Sequence, residues 1–371
     1  MIQPTPHKTR GTTIAIALTV AFAIAACSLV AWRVFRTRST GEGAHDSAAS
    51  GGEDPARAEG EPLYSTDVIT AVFDESFKIA FGIARFDYQI VGEHAAVLER
   101  VDETVARSVH QSEYFPRRPM LLPKLLQALN DDDSSRQALV KVILEDPALA
   151  GSVLKRANSA FYRVSPEPVE SLDRAVVVLG TEGLKSLMAI AILQPVFRQP
   201  KGYFDNFAAL TWEQAQRTAV AAETCAKSDG GCDPFVAQLL GLLGALARIV
   251  IFRLTIERYR ERPNILPRAE VFIRSMQKHG PGIARLVAST WELSDISLKA
   301  LDEQQNRISP AHMSPLGAAV YFGELCGALA LLNSRRLHST DGAQALLLEQ
   351  GLRRETVYAM WRAALSVSDE R

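Results

Sequence analysis

The residues that could carry chemistry in this chain are its seven histidines, 42 acidic residues and four cysteines. Histidines and carboxylates that converge on a divalent metal would activate water for hydrolysis. Beyond residue 112 the histidines are His279, His312 and His338, and no two have the spacing of three or four residues that places ligands on one helix face. The sequence also lacks the motifs G-x-S-x-G, G-x-x-x-x-G-K-S/T and H-E-x-x-H. This pattern predicts no enzyme built on a local catalytic motif.

Structural roles explain the isolated reactive residues better than catalytic ones. The dipeptide His45-Asp46 lies among small and polar residues, and His279 precedes a Gly-Pro-Gly sequence that predicts a surface loop. No C-x-x-C spacing occurs among the cysteines, which favours reduced thiols in a cytosolic domain over a disulfide framework. The four are Cys27, Cys225, Cys232 and Cys326.

Composition and charge exclude one broad class of partner. The chain has 371 residues, of which 47% are hydrophobic, enough to bury at least one sizeable core. Its 41 basic and 42 acidic residues give a formal net charge of -1. Nucleic-acid modules usually carry a basic surplus on one face, so we expect no nucleic-acid partner.

The N-terminus contains an uncharged run, TTIAIALTVAFAIAACSLVAW, from Thr12 to Trp32. A helix of about 20 residues is about 30 Å long, enough to cross the hydrocarbon core of a membrane. We therefore predict one transmembrane span over about 12–32, within an anchor of residues 1–38. A cleaved signal peptide would have a shorter apolar core. The sequence IAAC ending at Cys27 resembles a lipoprotein cleavage site, but the apolar residues after it favour a continuing span.

The flanking charges leave the orientation of this span open. Basic residues flank it on both sides, and the difference is one charge, offset by the N-terminal amine. They are Lys8 and Arg10 on one side and Arg33, Arg36 and Arg38 on the other. Residues 39–62 are rich in Gly, Ala, Ser, Glu and Pro and have too few aliphatic side chains to fold, which predicts a flexible linker.

The rest of the chain has the pattern of an all-α protein. In residues 63–112 apolar side chains recur at intervals of three and four, which predicts a helical segment that packs on the main domain or precedes it. Asp146-Pro147 and Asp233-Pro234 each combine a capping carboxylate with a proline at the first helical position. Convincing strand alternation is absent.

One helical stretch allows two interpretations. The run FVAQLLGLLGALARIVIF after Pro234 is long and apolar enough for a second membrane span. Its glutamine, its arginine and its two glycines favour a buried core helix instead. The favoured prediction is therefore a core helix in a single-pass protein.

Three strings resemble the HDOD family, the bacterial output domain related to HD-type metal phosphohydrolases. They are LPKLLQALN (122–130), LVKVILEDPALAGSVLKRANSAFY (139–162) and VESLDRAVVVLGTEGLKSL (169–187). The resemblance implies an HDOD domain over residues 113–335 with a C-terminal helical extension, 336–371. It also implies a cytoplasmic signalling domain that acts through contacts with partner proteins. This would place the bulk of the chain on the cytoplasmic side of a bacterial inner membrane.

The resemblance also implies that the metal-binding residues of HD-type enzymes are lost. Where relatives have Gly-Leu-Leu-His-Asp-x-Gly, this chain has GLLGALA from Gly241, so that Gly244 and Ala245 replace the histidine and the aspartate. Other histidine positions correspond to Gln214 and to the pair Gln304-Gln305. One acidic position survives as Glu324. A single carboxylate does not make a metal site, so we predict no metal, no cofactor and no enzymatic activity.

One polar helix end could still serve as a recognition surface. The end of the second string places polar groups beside two aromatic rings, an arrangement that can cap its own helix or contact a partner. The candidate partner surface consists of Arg156, Asn158, Ser159, Phe161 and Tyr162. The sequence thus predicts a non-catalytic, membrane-anchored regulator. A residual HD-type phosphohydrolase and a domain that binds a small signalling molecule without turnover remain alternatives.

Overall fold

The structure, a computed structural model, describes residues 66–108, 116, 118–129, 135–145, 147–158, 168–194 and 202–367. Within these ranges the regular elements are helices, and no strand occurs, which confirms the predicted all-α class. The helices are α1 (Thr66–Phe81), α2 (Glu93–Ser108), α3 (Leu122–Leu129), α4 (Ser135–Leu144), α5 (Pro147–Ala157), α6 (Leu172–Leu193), α7 (Phe207–Asp229), α8 (Pro234–Arg260), α9 (Ala269–Thr290), α10 (Asp295–Gln305), α11 (Pro315–Ser334), α12 (Thr340–Glu349) and α13 (Arg354–Ser366). The predicted membrane span and linker lie outside the described residues.

Two long helices begin with a side-chain cap followed by proline. The cap of α8 is the predicted Asp233, and that of α11 is Ser314. Asp233 precedes α8, and its Oδ1 accepts hydrogen bonds from the backbone N–H groups of Phe235 at 2.8 Å and Val236 at 3.1 Å. Ser314 precedes α11 and accepts from the N–H of Gly317 at 3.2 Å. Each cap is followed by a proline, whose missing N–H has no helical partner to lose.

Small residues bring α7 and α11 into close contact at the centre of the domain. A Cβ atom added to Gly327 would lie 2.7 Å from the backbone N of Thr218, and one added to Gly323 would lie 2.9 Å from the Cα of Ala222. Glycine at these positions is therefore what allows the two backbones to approach. Gly241 on α8 also faces Thr218, so three helices meet at this point.

The long helix α6 is bent at Gly180. This glycine has φ +69°, a conformation that side chains with a Cβ rarely adopt, and the helix axis turns by 96° between the segments Arg174–Thr181 and Gly183–Leu193. The second segment packs on α8, where the Gln238 Nε2 donates to the Ser186 Oγ at 2.6 Å.

The first and last helices of the described chain, α1 and α13, pack into the same core as α7 and α8. An aromatic cluster joins Phe81 of α1 to Phe207 of α7, with ring centroids 4.7 Å apart, and Phe207 stacks on Phe252 of α8 at 4.5 Å. At the other end of the chain, the carbonyl of Ala364 in α13 accepts a hydrogen bond at 2.9 Å from Arg217, which is 3% exposed. Residues 66–81 and 354–366 are therefore part of the packed core.

Within the described part of the chain, two helices, α8 and α11, are long and apolar enough to cross a membrane by length and composition alone, and the two segments of the bent helix α6 would make a third if they formed one span. The mean hydropathies of α8 and α11 over an 18-residue window are 2.1 and 1.6, and 83% and 78% of those windows are buried inside the protein. Packing against other helices already removes this apolar surface from water.

Candidate functional site

The segment GLLGALA forms the middle of α8, where a histidine and an aspartate would stand in an HD-type enzyme. Ala245 is 1% exposed and contributes to the core. A Cβ atom added to Gly244 would meet Oε1 of Glu324, on α11, well inside van der Waals distance. The carboxylate of Glu324 therefore fills the space in which a side chain at position 244 would begin.

A guanidinium group lies beside this carboxylate. Arg248 is one helical turn after Gly244 on α8, and its Nη2 is 3.5 Å from Oε1 of Glu324. The side chains are 12% and 26% exposed, respectively, so both are largely withdrawn from water. The surviving acidic residue of the centre is thus already paired with a cation that the protein itself provides.

Two of the three glutamines at the predicted ligand positions contact neighbouring helices. Gln304 Nε2 donates to the carbonyl of Gly317 at 2.9 Å, which ties α10 to the first turn of α11. Gln305 lies against Gly282 of α9. Gln214, on α7, is 4% exposed, and its Nε2 has no hydrogen-bond partner. The amide nitrogen of a glutamine has no lone pair to offer a metal, so its carbonyl oxygen is the only atom that could bind one.

A buried carboxylate that the sequence did not single out lies next to these glutamines. Glu303 is 5% exposed, and its Oε2 accepts from the backbone N of Ser314 at 3.0 Å and from its Oγ at 2.8 Å. These bonds and the dipole of α11 satisfy its charge at the helix N-terminus. Glu303 therefore acts as a helix cap. Its role depends on a contact 11 residues away, and no local motif signals it.

Two of the described histidines, His279 and His94, join neighbouring helices. The prediction of a surface loop at His279 is wrong: the residue lies inside α9, because Pro281 is accommodated within that helix. Its Nε2 is 2.6 Å from Oδ1 of Asp102 on α2. His94, also on α2, has its Nδ1 2.9 Å from the Tyr259 hydroxyl of α8.

The ion pairs at Asp102 shift its pKa. Burial on its own would raise the pKa of this carboxyl, but hydrogen bonds from His279 and Lys278, together with their charges, hold it below its usual range. Lys278 Nζ is 2.6 Å from the other carboxylate oxygen. Asp102 therefore anchors α2 to α9 at neutral pH.

These observations provide a direct test of whether the residues fit a metal. Among the described residues, no group of three or more His, Cys, Asp and Glu side chains is arranged to hold one. At the predicted centre two positions carry no donor, one glutamine donates to a carbonyl, and the carboxylate is paired with Arg248. The residues present do not fit the metal that an HD-type enzyme requires.

The thiols are protected by their surroundings. Burial raises the pKa of Cys225 to about 12 and raises that of Cys326 strongly as well, while Cys232 is half-buried and its pKa is raised to a lesser extent. Such thiols stay protonated at neutral pH and are poor nucleophiles. Cys27 lies outside the described residues.

A small cleft opens between α1, the loop that follows it and α9. Asp74 lines it and accepts hydrogen bonds from Gln277 at 2.8 Å and from Tyr88 at 3.4 Å. Burial raises the pKa of Asp74. The cavity volume is about 20 Å³, which is room for about one water molecule and too little for a metabolite.

The predicted partner surface is only partly visible. Asn158 follows α5, and both ends of its amide bind the backbone of Val169: Nδ2 donates to the carbonyl at 2.8 Å, and Oδ1 accepts from the N–H at 2.7 Å. Asn158 therefore has a structural role. Arg156 belongs to α5, but its side chain is not described, and Ser159, Phe161 and Tyr162 lie outside the described residues. The surface stays a prediction.

Comparison with known families identifies the fold. The HDOD domain matches residues 115–307, which is more than half of the chain. The chain belongs to the HDOD domain family. The match begins before α3 and ends after α10, so α1, α2 and α11–α13 lie beyond it.

Individual relatives are distant. A Treponema pallidum (strain Nichols) protein described as uncharacterized is 25% identical over 241 residues, which make up 62% of this chain and 43% of that protein. The chain thus spans less than half of this relative. An HDOD domain protein with unknown function from Geobacter sulfurreducens aligns with a TM-score of 0.51 and 20% identity, covering 74% of this chain and 90% of its own. A "putative metal-dependent phosphohydrolase" from Shewanella amazonensis SB2B aligns with a TM-score of 0.51 and 16% identity, and the alignment covers 72% of this chain and 99% of that chain. At these identities the structures show a shared fold.

Proposed function

We propose that the chain is a non-catalytic bacterial signalling protein that acts through protein contacts of its HDOD domain. The observation that carries the proposal is the centre between α8 and α11. Gly244 leaves no ligand there, and the carboxylate of Glu324 occupies the space and pairs with Arg248. Water activation by a metal needs several converging ligands and an open coordination position, and this arrangement provides neither.

Membrane attachment is the second part of the proposal, and it rests on the sequence from Thr12 to Trp32. Twenty-one residues without a charge satisfy the length that a membrane-spanning helix needs. We propose that this helix holds the HDOD domain at the inner face of the bacterial inner membrane. Replacing Phe22, at the middle of the run, by arginine should release the protein from membranes washed with alkaline carbonate, while the unchanged chain stays in the membrane pellet. Release of both chains would contradict the anchor.

The alternative from the enzyme class is a residual phosphohydrolase, the activity suggested by the description of the Shewanella protein. Metal analysis of the purified full chain, together with a phosphodiesterase assay in added manganese, separates the two functions. A regulator should contain no stoichiometric metal and show no turnover. A bound metal with turnover would contradict the proposal.

A matched variant traces any activity to its source. Glu324→Gln removes the surviving acidic group of the centre, so genuine turnover by this site should disappear in it, whereas a contaminating enzyme would give the same rate in both samples. The third possibility, binding of a small signalling molecule, predicts that a nucleotide raises the melting temperature in a screen. Stabilisation without turnover would favour that function over a pure protein-contact role.

A further inference from the structure

The centre between α8 and α11 contains its own positive charge. Gly244 and Arg248 are four residues apart on α8 and therefore lie on one face of the helix. Glu324 reaches this face from α11, with its Oε1 against Gly244 and 3.5 Å from the Arg248 Nη2. The three residues thus form one local arrangement: a space without a side chain, a carboxylate that fills it, and a guanidinium that neutralises the carboxylate.

We propose that Arg248 replaces, in this chain, the charge that a divalent metal provides in HD-type phosphohydrolases, so that the domain is held together without metal. This inference rests on the proposed non-catalytic function and extends it to the mechanism by which the centre became independent of metal. The physical basis is charge balance. A single carboxylate that is largely withdrawn from water needs one positive charge, and one arginine supplies it.

The absence of a side chain at position 244 is part of the same arrangement. A β-carbon there would push the Glu324 carboxylate away, because the two would occupy the same space. The side chain of Glu324 would have to move to make room for a larger residue at position 244. Glycine at this position is therefore compatible with the observed pairing of Glu324 with Arg248.

A double-mutant cycle on the full chain tests this inference. The variants are Arg248→Met, Glu324→Gln and the combination of the two, and the readout is the melting temperature with chelator and with excess manganese. Each single variant should lower the melting temperature by about 2–4 °C, because it leaves one charge without its partner. The double variant should lose less than the sum of the two single losses. Neither chelator nor manganese should shift the melting temperature of the unchanged chain.

Two control variants separate the effect of the charge of Arg248 from the effects of packing and of losing any ion pair. Arg248→Lys keeps the charge and should retain most of the stability, which separates the role of the charge from simple packing. Arg100→Met breaks an exposed pair with Glu103, in which the side chains are 56% and 45% exposed, and should change the melting temperature by less than about 1 °C.

Additive losses in the cycle would overturn the inference, as would a rise in melting temperature when manganese is added to the unchanged chain. The result is independent of the test of function. Additive losses without turnover would reject the role of Arg248 and leave the non-catalytic proposal standing. Turnover with a coupled pair would reject the non-catalytic proposal and leave the ion pair in place.

Discussion

Replacing Gly327 by alanine is expected to destabilise the domain at the contact between α7 and α11. The added Cβ would lie 2.7 Å from the backbone N and 2.8 Å from the Cα of Thr218. Ordinary van der Waals contact begins at 3.4 Å, so the two helices would have to move apart by 3.4 minus 2.7, or 0.7 Å. The obstacle is backbone, which cannot rotate away as the end of a flexible side chain can.

The size of the effect follows from two opposing contributions. Overpacking a well-packed core costs about 1–3 kcal/mol, and a clash with backbone belongs at the upper end of that range. Alanine recovers about 1 kcal/mol relative to glycine through its higher helix propensity. We therefore expect a net loss of about 2 kcal/mol in the free energy of unfolding.

Equilibrium unfolding in urea measures this loss. The midpoint should fall while the dependence on denaturant stays unchanged, because the native fold and the surface exposed on unfolding are the same. Gly151→Ala is the matched control: Gly151 is exposed within α5, nothing lies within 4 Å of an added Cβ, and only the gain in helix propensity applies. If Gly327→Ala unfolds at the same denaturant concentration as the unchanged chain, or a higher one, the proposed close approach of the helices is wrong.

Two further substitutions test contacts between distant segments. Asp102→Asn should lower the free energy of unfolding by about 1 kcal/mol at neutral pH, because the charged hydrogen bonds of Asp102 are lost. The pKa of Asp102 is lowered in the folded protein, so its contribution to stability is complete above the ordinary carboxyl range and is lost as the pH falls through the folded pKa. The urea midpoints of the two proteins should therefore converge in acid, and a constant difference at all pH values would contradict this role. Asn158→Ala should lower the free energy of unfolding by about 1–3 kcal/mol and speed hydrogen exchange at the Val169 amide, because the backbone of Val169 loses both hydrogen bonds to the side chain. Unchanged exchange at that amide would refute the contact between Asn158 and Val169. The control Asn158→Asp keeps the acceptor oxygen and should protect the amide.

Much of the local structure is predictable from the sequence because its causes are local. Asp233 caps α8 through N–H groups two and three residues away, and the apolar content of that helix already indicates burial. Membership of the HDOD family also follows from residue order and spacing, and the match of residues 115–307 to the HDOD domain confirms it. The resemblance to HD-type enzymes also predicts, from the sequence alone, that Gly244 and Ala245 stand where those enzymes have a histidine and an aspartate.

Contacts between distant residues are different, because no local pattern determines them. The pair of His279 with Asp102 joins residues 177 positions apart, and the indole N–H of Trp291 donates to the carbonyl of Pro116 across 175 positions. The sequence placed His279 in a loop because Gly-Pro-Gly usually breaks helices. In the structure α9 continues through it, since packing of the helix supports Pro281 where local propensity opposes it.

The sequence by itself therefore determined the helical class and the family, both of which depend on residue identity and short-range spacing. Only the tertiary structure decided what occupies the degenerate centre. Glu324 reaches Gly244 because α11 crosses α8 at that point, and Arg248 meets the same carboxylate because it lies one turn further along α8. Arg248 and Glu324 lie 76 residues apart in sequence and meet because the fold brings their helices together, and the residue types alone do not predict the contact.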